Sequence, residues 1–460
     1  MAGRREVRVV LEDKDRRVPS WKSLLGEGGI LLAWIIAAGV AVRLLVAPYT
    51  SGSDIPQFAG FADTFLRHGL KFYLYCSSRS ARAEGWAYPW PYVYGPLFIL
   101  MLGALRLAAP GRVFHGVMGG EYVVYAPRDW VYALKMLYVA GDAASAVLIY
   151  LIARANGVGK RRALLGSALY MFNPMVFYVS SVYGMLDPVM LAFILGGLLL
   201  LHKREWETWG LVLLGLALAV KPTAVYAFIP LVFYYARRGF WSAAKTFAVP
   251  VVVAAALYAP FLASAPGSLS VYIEAVKSVS CPCYSVPVPY SFNGLSSIAF
   301  YAWNHAGVNT SYILRLWPLL MAPFLLLVLV SSTRARSPVT AAGLGYIVYT
   351  LAYWRVNYQY LVPSIGFAVL LFLAGRGCPR VKASSLAFQF LAGLWPLMYP
   401  MSFWAWVHMP APNPTVIRVL DSFSLMVFDD LAYVYYSLLL TLSEAVLVVE
   451  ASLCALREEL

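Results

Sequence analysis

Two acids and two cations stand out from an apolar background by where they fall. Asp54, in TSGSDIPQF, directly follows the first apolar run. A carboxylate at a membrane boundary, roofed by a loop, can have its pKa tuned and act as a general base. The same place also suits a turn or cap residue ahead of the helical segment IPQFAGFADTFLRHG. Asp187, in SSVYGMLDPVML, opens another apolar run with Tyr183 and Gly184 just before it. An ionisable group there is a candidate site residue, and Asp-Pro is equally an ordinary helix start. Lys221 precedes Pro222 at the end of a third run, and Arg355 lies in YWRVNYQYLVP beside Asn357 and Gln359. Together the two cations suit a phosphate at headgroup depth, Arg through paired hydrogen bonds and Lys as a point charge. Snorkelling to water is the alternative for each.

Other polar residues read as structural. Lys135 and Asp142 share one helical face two turns apart, which fits burial against partners across a bundle better than catalysis. Asp63, Glu84, Asp421, Asp429 and Asp430 read as solvated. His68, His115, His305 and His408 lack metal-ligand spacing and no CxxC pair occurs, so no metal is expected. Cys76 could bridge to Cys281 or Cys283, or all three could be free thiols.

The elements that must position these residues follow from composition. Of 460 residues, 61% are apolar and 13% charged, against roughly 45–50% and about 25% in soluble domains. That excludes a soluble nucleic-acid enzyme, a secreted disulfide scaffold and a cytosolic dehydrogenase. Apolar runs at 30–47, 130–153, 163–182, 187–201, 207–220, 223–236, 246–263, 312–331, 338–354, 358–375, 384–406 and 423–450 predict about 12 membrane-spanning helices. A further run, 93–109, begins VYGP, contains Arg106 and is barely long enough to span. If it does not cross, the loops holding Arg154 to Arg162, Lys203 and Arg204, Arg237 to Lys245, Arg334 and Arg336, and Arg376 to Lys382 all fall on the cytoplasmic side with both termini. If it crosses, every loop from Arg154 onward inverts. The run 93–109 therefore reads as a re-entrant or interfacial helix. The net charge of +14 then reflects cytoplasmic loops and not nucleic-acid binding.

The expected fold is thus an all-α polytopic membrane protein with two long external loops, 48–129 and 264–311, carrying interfacial helices. Residues 1–29 form a cytosolic tail, not a cleaved signal peptide, 30–454 a single transmembrane domain and 455–460 a second cytosolic tail. The two loops would roof a cavity at the outer surface. No internal repeat is evident, which weakens a transporter reading.

The ordered motifs YPWPYVYGPLF, FNPMVFYVSSVYGMLDPVML, LLGLALAVKPTAVYAFIPL, SFNGL and RVNYQYLVP, after an Asp behind the first span, resemble the GT-C glycosyltransferase superfamily. The similarity is greatest to its polyprenol-phosphate-mannose-dependent mannosyltransferases and runs from about Asp54 to Pro363. It implies a GT-C-like bundle and an inverting transfer of a hexose, mannose above all, from a dolichyl- or polyprenyl-phosphate carrier to a lipid-linked or glycan acceptor. The reaction would take place on the external or lumenal face of the cell membrane or endoplasmic reticulum. On this resemblance Asp54 matches the catalytic Asp, Asp187 the acidic position of the second external loop, Lys221 the Lys-Pro element, and Gln359 with Tyr360 a Gln-Tyr element. Tyr183 and Asn357 join them as substrate-binding candidates. The first loop has a single Asp where relatives show Asp-x-Asp, and YPWPYVYGP is longer than the usual Tyr-Pro-Pro. No cofactor is implied beyond the lipid-phosphate sugar itself. A transporter or flippase of lipid-linked sugars, or an assembly subunit without catalysis, are the competing classes.

Overall fold

The computed structural model describes residues 28–282, 291, 293–308, 311–375, 377–398, 414–427 and 429–460. Nearly all of the cytosolic tail 1–29, together with Cys283, Arg376 and His408, lies outside the described residues.

The described chain is mostly helical. It opens with α1 (Gly29–Val46), then α2 (Asp54–His68) and α3 (Pro96–Ala108), a strand pair β1 (Phe114–Met118) and β2 (Glu121–Tyr125), and the long α4 (Arg128–Ala155). There follow α5 (Lys160–Met171), a broken segment from Pro174 to Tyr183, α6 (Asp187–Leu200), α7 (Glu207–Val220), α8 (Val225–Ala236) and α9 (Phe240–Ala263). The second half holds α10 (Ser268–Ser280), α11 (Gly294–Ala306), α12 (Trp317–Ser332), α13 (Pro338–Ala352), α14 (Leu361–Ala374), α15 (Pro379–Gly393), α16 (Pro414–Val427) and α17 (Asp430–Leu456).

Among the described residues, five helices are long and apolar enough to cross a membrane, or six if the bent pair Lys160–Met171 and Pro174–Tyr183 counts as one span. Other apolar runs of the sequence form helices of 10–17 residues. Proline accounts for much of the shortening: Pro188, Pro222 and Pro338 fix helix starts, because proline lacks the N–H that a helix interior needs. α3 has 13 residues, about 20 Å at 1.5 Å per residue, short of a hydrocarbon core of about 30 Å.

α4 packs on α6, α6 on α7 and α7 on α9, while α8, α12 and α14 surround α13, every residue of which is buried. α1, α9 and α12 keep much of their apolar surface exposed, as lipid-facing helices do. The β1–β2 hairpin corrects the all-α expectation. Its turn is Gly119–Gly120, both at positive φ, which a two-residue hairpin turn requires.

Of the acids expected to be solvated, Glu84 and Asp421 are not, and Asp63 keeps about half of its side chain exposed while pairing with a cation. Asp63 receives Arg106 Nε at 2.7 Å and Nη2 at 3.1 Å. Glu84 takes Arg67, His68 and Thr64, and Asp421 is buried. Arg106, the charge that argued against a span, is thereby spent inside the loop domain and anchors α3 to α2. Cys76 is buried and unbridged, with burial pushing its thiol up to about 12. A disulfide instead joins Cys378 and Cys454, tying the start of α15 to the end of α17.

Candidate active site

Asp54 is the first residue of α2, where the helix dipole favours a carboxylate. Its side chain does not cap the helix. Tyr183 Oη donates to Asp54 Oδ2 at 2.7 Å. Because the single phenol hydrogen goes there, Ser53 Oγ is the donor in its own 2.7 Å contact with Tyr183 Oη. Gly52 N donates to the Tyr183 carbonyl at 2.8 Å, and a Cβ at Gly52 would lie 2.6 Å from the Tyr183 ring. Only glycine lets these two segments close on each other. The Tyr183 ring also packs edge-on against Tyr358, 4.7 Å between centroids, and Tyr358 against Trp395.

Burial raises the Asp54 carboxyl above its ordinary range. The Tyr183 hydrogen bond and the positive charges of Lys221 and Arg355 oppose that rise, and Asp187 adds to it. Asp54 therefore senses both cations and the second acid that the sequence marked. Four further tyrosines, Tyr88, Tyr94, Tyr138 and Tyr358, have hydroxyls that feel the Asp54 charge.

Lys221 pairs with an acid and not with Arg355. Its Nζ donates to Asp187 Oδ1 at 2.7 Å and Oδ2 at 2.9 Å, both side chains almost fully buried, and sits 4.2 Å from the Tyr360 ring centroid. Asp187 heads α6 and Lys221 ends α7, so the pair staples a helix N-terminus to a neighbouring C-terminus with each charge at the end that favours it. Arg355 is half-buried and has no hydrogen-bond or ion-pair partner among the described residues. Gln359 is buried with no partner for its Oε1 among the described residues, and Asn357 and Tyr360 are half-buried beside it.

The aromatic loop closes over this group. Gln57 grips it, donating to the Trp90 carbonyl and accepting from the Tyr88 amide, each at 2.9 Å. Tyr88 and Trp90 stack at 4.4 Å, and Phe58, Tyr92, Tyr94 and Phe98 form an edge-to-face cluster beneath. Gly95 N donates to the Val220 carbonyl at 3.0 Å, next to Lys221. A Cβ at Gly95 would stand 2.0 Å from the Ala219 oxygen, so no other residue fits there.

Beneath the site lies a network in which sequence reasoning placed only two members. Arg43, a lone cation in α1 that the sequence reading passed over, donates to Asp142 Oδ2 at 3.0 Å and to Ser180 Oγ at 3.2 Å. Tyr170 completes the Asp142 shell at 3.1 Å. Lys135 donates to backbone carbonyls around Asp54 and Tyr183. Both α4 residues are thus buried among partners, as expected. One group of three potential metal ligands occurs among the described residues, Cys378, Cys454 and Glu459, and two of them are the bridged cysteines.

Residues 76–237 match the family model of the alpha-(1->6)-mannopyranosyltransferase N-terminal domain. The matched segment includes the aromatic loop, Tyr183, Asp187 and Lys221; Asp54 and Arg355 lie outside it. This match agrees with the glycosyltransferase class and with the GT-C resemblance read from the sequence. Among solved structures, the Saccharomyces cerevisiae protein O-mannosyltransferase Pmt1-Pmt2 complex bound to the sugar donor is 17% identical, with 55% of this chain and 33% of that chain covered, at a TM-score of 0.33. ArnT from Cupriavidus metallidurans bound to undecaprenyl phosphate is 13% identical, with 93% and 78% covered, at a TM-score of 0.41. The chain spans a third of the length of the first of these. No curated protein sequence matches it.

Proposed function

We propose that this membrane protein is an inverting glycosyltransferase that moves a hexose, mannose by the family match, from a polyprenyl- or dolichyl-phosphate carrier to a hydroxyl of a lipid-linked or glycan acceptor. The observation that carries the reading is the half-buried Asp54, held by Tyr183 and in electrostatic reach of Lys221, Arg355 and Asp187.

In this reading Asp54 Oδ1 or Oδ2 takes the proton of the acceptor hydroxyl as its oxygen attacks the anomeric carbon. The bond from that carbon to the phosphate oxygen breaks, and the electron pair leaves with the lipid phosphate. Arg355, half-buried and without a partner among the described residues, meets the phosphate through its planar fork. Lys221, neutralised in part by Asp187, holds the floor of the site and adds positive field. Asn357, Gln359 and Tyr360 line the sugar side, the orphaned Gln359 Oε1 accepting a hydroxyl. The carrier's single phosphate leaves with less help than a nucleotide diphosphate needs, and no metal enters the mechanism.

The finer topology belongs to the same proposal: about 12 crossings, with the loops 48–129 and 264–311 external. Contacts between helix ends support it. Arg237 donates to the Ala335 carbonyl and Arg336 N to the Leu460 carbonyl, while Cys378 reaches Glu459, so basic turns gather at one end of the bundle. Asp54, Tyr183, Gly95 and Lys221 gather at another.

The test is to incubate purified protein with radiolabelled polyprenyl-phosphate mannose, and separately the glucose analogue, plus endogenous lipid extract. Label moving from mannose donor to acceptor with inverted anomeric configuration is the expected result. Transport of intact carrier across vesicles without transfer would support the flippase class instead.

A further inference from the structure

The structure assigns a positioning role to Lys135: its buried amino group clamps together the two chain segments that carry Asp54 and Tyr183. This rests on Asp54 being the general base. Lys135 lies on α4, wholly inaccessible, and Nζ donates to the Ala47 carbonyl at 3.1 Å, the Thr50 carbonyl at 2.5 Å and the Val182 carbonyl at 2.9 Å, with Thr50 Oγ1 also at 2.5 Å. Thr50 Oγ1 in turn donates to the Ser181 carbonyl at 3.1 Å. Each of these partners sits within seven residues of Asp54 or Tyr183, and none is a carboxylate.

A buried lysine amino group without a counter-carboxylate is costly, and an apolar residue of similar size would be the cheaper filler. Such a filler would leave three carbonyls without this donor and the two segments joined through Thr50, Gly52, Ser53 and Asp54 without it. Above the clamp the contacts continue in order: Gly52 N to the Tyr183 carbonyl, Ser53 to Tyr183 Oη, and Tyr183 Oη to Asp54. Two turns along the same face of α4, Asp142 with Arg43 fixes Ser180 at the far end of the segment. α4 is therefore the rigid rail from which Tyr183 is aimed at Asp54.

The experiment compares full-length Lys135→Met, Lys135→Arg, Thr50→Val and Tyr183→Phe with the wild-type protein, using radiolabelled polyprenyl-phosphate mannose and endogenous lipid extract. For folded Lys135→Met, kcat should fall at least about tenfold with both apparent KM values within about twofold, because misplacement of a reacting group by about 1 Å is that costly. Its acid limb should move to higher pH, since the Tyr183 hydrogen bond that lowers the Asp54 pKa is weakened. Lys221, Arg355, Asp187, Tyr88, Tyr94, Tyr138 and Tyr358 also face Asp54. The shift is therefore assigned to Tyr183 by its failure to add in Lys135→Met/Tyr183→Phe. Lys135→Arg should restore part of kcat.

Folded Lys135→Met with wild-type kcat and acid limb overturns the clamp. Where Lys135→Met does not fold, Thr50→Val carries the test: about a threefold loss of kcat with a shifted acid limb supports it, and an unshifted limb overturns it. An Asp54→Asn protein at wild-type rate removes the general-base reading itself. An inactive Asp54→Asn beside an unaffected Lys135→Met removes only the clamp.

Discussion

Tyr183 Oη stands 2.7 Å from Asp54 Oδ2 although 129 positions separate the two residues. The phenol gives its one hydrogen to the carboxylate, so it steadies the ionised form of a base that burial pushes toward the neutral one. Which of these opposing influences is removed decides how each variant behaves.

Asp54→Asn should lower transfer by at least about 10²-fold, as expected when a general base is lost. The same variant should raise Tm at neutral pH. The folded-state pKa of Asp54 lies above its unfolded value, so its contribution is stabilising below the unfolded pKa, near 4, and is lost as pH rises through the folded pKa. At pH 7 the ionised carboxylate is a cost that the amide avoids. Thermal melts of both proteins at pH 4 and 7 check the sign: the gap should shrink at pH 4.

Lys221→Met strands the buried Asp187 carboxylate, and stability should fall by about 3–5 kcal/mol. Asp187→Leu combined with Lys221→Met should recover most of that loss without recovering turnover. Denaturation in detergent measures the first, the radiolabel assay the second.

Arg355→Met should leave Tm unchanged, since no described protein partner is lost, while donor binding weakens at least about tenfold and acceptor affinity stays put. A charge-assisted hydrogen bond of roughly 1.5–3 kcal/mol sets that scale. Arg355→Lys should restore part, lacking the planar fork. Arg67 and Arg79, guanidiniums of the segment between α1 and α3, are paired with Glu84 and Glu274.

Single cysteines at Arg161, Arg237 and Arg334, in a background lacking native cysteines, should resist a membrane-impermeant label applied from outside, and one at the exposed Glu121 should react. The reverse pattern would mean that the whole bundle is inverted and the Asp54 face is cytoplasmic, because the Tyr183–Asp54 contact keeps the segments before and after α3 on one side.

Much of the site was legible because its members break local rules: Asp54, Asp187, Lys221 and Arg355 are charges set at the ends of apolar runs. Their pairing was not legible. Asp187 and Lys221 lie on different helices, and only packing of α6 on α7 brings them to 2.7 Å. Glu84 looks like a surface acid because its cation, Arg67, lies 17 residues away, and the half-exposed Asp63 takes a cation, Arg106, from 43 residues away. Arg43 had a signal, a guanidinium inside an otherwise uncharged helix, which in a membrane marks a partnered residue. The β1–β2 hairpin had one too, FHGVM and EYVVY about a Gly-Gly turn, hidden by the apolar runs around it. Helix number is harder to read, because hydropathy does not register where proline and 3-10 turns divide a run.

Gly95 binds the aromatic loop to the last turn of α7 so closely that loop and helix end share one position in space. Lifting the loop would carry Lys221 with it and pull Asp187 out of alignment, so this cover is masonry and not a door. A donor on a polyprenyl tail needs no door from above. In the proposed reaction such a donor would enter edgewise from the bilayer, its lipid staying in the hydrocarbon, and the spent phosphate would leave along the same plane.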